Sequence, residues 1–78
     1  MFRSELDLLL EVRESLQSGR AVRLRRAAGL SQAELARAVG VSPAAICRWE
    51  SGARTPRGRA ALDYARALRT LARRATSG

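Results

Sequence analysis

The side chains of this sequence with the most capacity for chemistry are arginines: all fifteen basic residues are Arg, set against seven acids, for a net charge of +8. A guanidinium presents its N–H donors as a planar fork that matches the oxygens of a phosphate and the O6/N7 edge of guanine. That is binding chemistry, and the parts for other kinds are missing. There is no His and a single Cys, Cys47, so neither an internal disulfide framework nor an ordinary structural zinc site is available. No carboxylates cluster either, so the usual nucleophile–base pairs and metal centres cannot be assembled. The expectation is a protein that is not an enzyme, carries no cofactor or metal, and meets a polyanion.

The charge is spread unevenly. Residues 1–18 sum to −2, residues 19–51 to +4 and residues 52–78 to +6. An anionic partner should therefore meet the middle and end of the chain rather than its start. A plainer explanation, an Arg complement that only keeps the protein soluble, accounts for the total but poorly for its asymmetry.

Elements must position these arginines, and the composition says which kind. The apolar content of 46% is rich in Ala and Leu, with one Phe, one Trp and one Tyr, which favours helices over strands. At 78 residues the chain makes one domain with a small core, and the expected fold is an all-α bundle of about five helices. SELDLLLEVRESLQ, residues 4–17, reads as an acidic amphipathic helix capped by Ser4, with Leu6, Leu9, Leu10 and Leu16 on one face. After Ser18-Gly19, residues 20–28 are either a second, basic helix or a kinked continuation of the first.

The next stretch is more explicit. In LSQAEL, Ser31 is an N-cap and Glu34 stands three residues on, a capping box, with Leu30 placed to staple Leu35. At 42–52, SPAAICRWESG repeats part of the device: Ser42 caps, Pro43 takes the first helical position, and Val41 faces Ile46. Gly40 separates the two. The spacing predicts helices over about 32–39 and 43–51 joined by a turn of about three residues, a helix-turn-helix. Gly52 ends the second, and a last helix is expected from about Pro56 to Arg74, with Leu62, Ala65, Leu68, Leu71 and Ala72 as its apolar stripe. Residues 75–78 read as a disordered tail.

On a helical wheel the segment 43–51 puts Ile46, Trp49 and Glu50 on one side and Ala44, Cys47, Arg48 and Ser51 on another. The first set should face the domain, Trp49 as core rather than as a base-stacking group. The second is small except for Arg48, which would let the helix backbone approach base edges in a major groove. Arg54, Arg57 and Arg59 follow, where a phosphate strand would pass.

GLSQAELARAVGVSPAAICRWESGARTP resembles the Cro/lambda-repressor-type, XRE-like helix-turn-helix family of bacterial and phage regulators. The matching residues are Gly29-Leu30-Ser31-Gln32, Glu34-Leu35-Ala36, Gly40-Val41-Ser42, Ile46, Trp49-Glu50, Gly52 and Pro56, and the likeness extends over about residues 20–71. The resemblance implies a lambda-repressor-like bundle in which Gln32 binds a phosphate and Pro43, Ala44 and Arg48 meet bases. It also implies a structural ion pair between Arg25 and Glu50. Relatives often carry long polar residues where this chain has Pro43 and Ala44, so amide readout of adenine is absent there. Ala44 is then either only a helix former or a contact for a thymine methyl.

Together these readings give an acidic helix in residues 1–18 and a DNA-binding domain over 19–74. The expected function is a sequence-specific transcriptional regulator acting on double-stranded DNA, a repressor in the first instance. Base contacts are assigned to Pro43, Ala44, Cys47 and Arg48, and phosphate contacts to Gln32, Ser42, Ser51, Arg54, Arg57 and Arg59. The alternative is an antitoxin or adaptor whose helix 4–17 holds a protein partner while the motif binds DNA. One reading helix covers few base pairs, so a homodimer is expected, formed on DNA if not before. No apolar run approaches a membrane span, and Met1-Phe2-Arg3 leads into acids rather than a signal segment. A cytoplasmic location is expected.

Overall fold

Serine caps set three of the helix starts. Ser4 Oγ accepts from the Asp7 N–H at 3.1 Å, Ser31 Oγ from the Glu34 N–H at 3.0 Å, and Ser42 Oγ from the Ala45 N–H at 3.1 Å. The Glu34 carboxylate accepts the Ser31 N–H in return at 2.9 Å, which completes the capping box. In the computed structural model, which describes residues 4–77, the elements are α1 (Glu5–Gln17), α2 (Arg20–Ala27), α3 (Gln32–Val39), α4 (Pro43–Ser51) and α5 (Gly58–Ser77). No strand occurs among the described residues. Met1–Arg3 of the expected segment 1–18 and Gly78 of the expected tail lie outside them.

α1 and α2 are separate helices. Gly19 adopts φ 80°, a left-handed conformation that turns the chain sharply and that side-chain-bearing residues resist. The same device makes the central turn. Gly40 sits at φ 89°, and its N–H and that of Val41 both reach the Ala36 carbonyl, at 2.8 and 3.0 Å. Ser42 then opens α4, so three residues join α3 to α4.

The core draws on every helix: Leu8 and Val12 of α1, Ala21 of α2, Leu35, Ala36 and Val39 of α3, Ile46 and Trp49 of α4, and Leu62, Tyr64, Ala65 and Leu68 of α5. α1 packs against α5 and α2, and α3 against α4. Each fully buried aliphatic side chain contributes roughly 1.5–3 kcal/mol.

Three expectations are corrected. The inward face of α1 is Leu8, Val12 and Ser15, with Leu9 and Leu16 partly buried, whereas Leu6 and Leu10 are 63% and 51% exposed. Leu stands at five positions in this helix, so periodicity did not select a face; contact with α5 and α2 did. α5 begins at Gly58 rather than Pro56, since its first bond runs from the Ala61 N–H to the Arg57 carbonyl at 3.2 Å. It also continues through Ser77 where a tail was expected, and Thr76 Oγ1 donates back to the Ala72 and Arg73 carbonyls in that last turn.

Candidate nucleic-acid interface

One buried polar network fixes α4 against the bundle. Arg25 Nε donates to Glu50 Oε2 at 2.7 Å and Arg25 Nη2 to Oε1 at 2.9 Å, a two-pronged pair whose side chains are 9% and 6% exposed. Arg25 Nη1 also donates to the Leu30 carbonyl at 2.9 Å, and Gln32 Nε2 donates to Glu50 Oε1 at 2.8 Å. The last turn of α2, the start of α3 and the end of α4 thus meet on one carboxylate, and Arg25 ties in the loop before α3 through the Leu30 carbonyl. Burial alone would push the Glu50 carboxyl up, but the hydrogen bonds from Arg25 and Gln32, with the positive charge of Arg25 and Arg26, hold it below the usual range. The hydrogen bond to Glu50 raises Arg25 in turn, against the opposing effect of burial.

The same side of α4 carries Ile46 and Trp49, both buried. Trp49 lies against Tyr64 of α5, with ring centroids 5.0 Å apart and planes tilted by 40°. Tyr64 was not singled out from the sequence, because an aromatic among the alanines of α5 has no unique reading. Its hydroxyl is buried with no hydrogen-bond partner among the described residues, and burial raises its pKa.

With its inner face held, α4 turns Ala44, Cys47, Arg48 and Ser51 to solvent, together with Pro43 and the cap Ser42. Arg48 has no side-chain hydrogen bond or ion pair among the described residues, and the same is true of Arg54, Arg57 and Arg59, all exposed. An open cleft of about 340 Å³ brings Arg48, Arg54, Arg57 and Thr55 together at the edge of α4. The loop is tied back to the helix by the Arg54 N–H, which donates to the Arg48 carbonyl at 3.2 Å. Arg59 is not part of that cleft.

Two of the expected phosphate ligands are already engaged. One amide hydrogen of Gln32 goes to Glu50, which leaves the other for a phosphate. Ser51 Oγ donates to the Arg48 carbonyl at 3.2 Å and accepts from the Ala53 N–H at 3.4 Å, so a phosphate bond from its hydroxyl would require giving up the first. The Ser42 hydroxyl accepts at the cap and keeps its own proton to donate. Among the described residues no three His, Cys, Asp or Glu side chains are grouped to hold a metal ion, and no helix is long and apolar enough to cross a membrane.

Two short capped helices joined by a three-residue turn, the second pinned on one face and cationic at its free edge, define a helix-turn-helix of the DNA-binding kind. The helix-turn-helix family model HTH_3 matches residues 22–72. The chain belongs to this family, the Cro/C1-type, XRE-like DNA-binding regulators. No curated protein and no solved structure gives a match. The matched span leaves α1 outside it.

Proposed function

We propose that the protein is a sequence-specific transcriptional regulator that lays α4 in the major groove and represses by occupying its site. Pro43, Ala44, Cys47 and Arg48 face base edges, while Gln32, Ser42, Arg54, Arg57 and Arg59 hold phosphates, with Ser51 contributing only if its internal bond is exchanged. The observation that carries this reading is the pinned rotation of α4, whose buried Ile46 and Trp49 and inward Glu50 side chain leave small residues and one unpaired Arg outward. Sequence preference then rests largely on Arg48, whose fork fits guanine. A helix of nine residues covers few base pairs, so two protomers act together on one site. Selection of bound sequences from a random DNA pool at two salt concentrations tests the proposal. Log affinity should fall with log salt with a slope of several units, and an inverted repeat should emerge. A nearly flat salt response or an unstructured pool would sink it.

A second reading, an antitoxin or adaptor, is favoured by the two exposed leucines of α1, Leu6 and Leu10, beside the exposed acids Asp7 and Glu14. Leu10→Gln should then abolish co-purification of a protein partner without changing DNA affinity or melting temperature. Retention of the partner by that variant would remove α1 as its binding face.

A further inference from the structure

A second cleft adjoins the one beside Arg48 and shares Trp49, Arg54, Thr55 and Arg57 with it. It is open, holds about 530 Å³, and continues past Gly52 to α1, where Arg13 and Gln17 form its far wall. Arg13 is the single basic residue of α1. It is exposed, and no hydrogen bond or ion pair holds its guanidinium among the described residues. Glu14, next to it in sequence, is not part of the cleft, and the Glu50 carboxylate that is already belongs to Arg25 and Gln32. The cleft therefore carries the uncompensated charge of Arg13, Arg54 and Arg57, and its neighbour carries that line of charge on to Arg48.

We infer that Arg13 extends the DNA-binding surface onto α1, with the cleft between Arg13 and Arg54/Arg57 seating a backbone phosphodiester that flanks the base pairs read by α4. The inference rests on the DNA-binding reading above and adds to it a residue from the helix that lies outside the family match. An open trough lined by three guanidiniums and the Thr55 hydroxyl suits a linear polyanion passing through it, and each fork supplies paired donors to phosphate oxygens. The acids Glu5 and Asp7 sit in the first turn of α1, at its other end. Glu11 and Glu14 lie in the same half of α1 as Arg13 but line neither cleft, so the helix offers DNA its Arg13 edge rather than that half as a whole.

The test compares Arg13→Ala with Arg73→Ala, an equal loss of charge at an exposed position of α5 that borders neither cleft. On a selected duplex, Arg13→Ala should shallow the slope of log affinity against log salt by about 1 and weaken selected and unrelated sequences by the same factor. Arg73→Ala should leave the slope as in the parent protein, and neither should move the melting temperature. Equal slopes for the two variants would show that Arg13 acts only through net charge and would overturn the inference. On a duplex trimmed to the base pairs under α4 the difference between Arg13→Ala and the parent should vanish; its persistence would also overturn it. Inorganic phosphate serves as a probe of the other source of the same chemistry. Phosphorus resonance broadening by the parent but not by Arg13→Ala, with unchanged DNA slopes, would assign the cleft to a small free anion instead. A flat salt response in the parent protein is a separate result that removes the DNA reading itself.

Discussion

α1 and α4 are both short amphipathic helices held to the same core, yet they are oriented by different means. α4 is chemically singular. It contributes one Trp, one Ile and one Glu to the interior, and Glu50 has a matched partner in Arg25. Rotation of α4 by one residue would leave a guanidinium and a carboxylate buried without each other, which is far more costly than exposing a methyl group. α1 is degenerate. It has leucines at positions 6, 8, 9, 10 and 16, and nearly any rotation buries some of them. A face that must read another molecule is thus carried on the element whose rotation is set by charge, whereas α1 takes its rotation from packing against α5 and α2.

The largest test of that contrast is Glu50→Ala, which strands Arg25 in a site that is 9% exposed at the side chain. The expected loss is about 3–5 kcal/mol, read by thermal denaturation as a fall well beyond ten degrees, since about 1 kcal/mol moves a domain of this size by roughly 4–8 °C. Arg25→Ala should cost about as much and the double variant much less than the sum; additive losses would show that the pair is not a unit. The acid limb gives the same pair a second reading. Because the folded carboxyl of Glu50 is held below its unfolded value, its contribution is present above the ordinary carboxylate range and is lost as pH falls through the depressed folded value. Glu50→Gln should flatten the acid limb of stability, and an unaltered limb would mean the carboxylate is not responsible.

On α1, Leu8→Ala should cost about 2–4 kcal/mol in urea denaturation, because Leu8 is 5% exposed. Leu6→Ala and Leu10→Ala should stay within about 0.5 kcal/mol. A reversal of that order would put the other face of α1 inward. Next in size, Arg48→Ala should reduce affinity for the preferred site by about 1–3 kcal/mol and relax one base position, with no change in melting. A uniform loss over all sequences would make Arg48 a phosphate contact. A small effect of the opposite sign is expected at Tyr64, whose hydroxyl has no partner among the described residues. Tyr64→Phe should be neutral or stabilising by up to about 1 kcal/mol, since the ring contact with Trp49 survives and an unpaired polar atom is removed. A marked destabilisation would reveal a bond to that oxygen.

The legible parts of the fold were those written in local chemistry. Ser31 with Glu34, Ser42 with Pro43, and Gly40 between them specify where α3 ends and α4 begins, because caps and left-handed turns involve residues three or four apart. The outward set Ala44, Cys47, Arg48 and Ser51 followed from the same periodicity. The Arg25–Glu50 contact, 25 residues apart, was accessible only through resemblance to a family, and the Gln32 bond to the same carboxylate was not foreseen. Arg13 was not legible as a site because residues 1–18 are net negative, with Arg3 and Arg13 set against four acids.

Residue types and spacing by themselves determined that the chain is helical, that its chemistry is that of guanidinium groups, and where the helix-turn-helix lies, since all three depend on composition or on interactions within one turn. Tertiary structure alone decided which leucines of α1 go inward, that Tyr64 backs Trp49, and that Arg13 shares a cleft with Arg54 and Arg57. Those outcomes depend on how the five helices pack in three dimensions, where positions 40 or more residues apart in the chain become walls of one site.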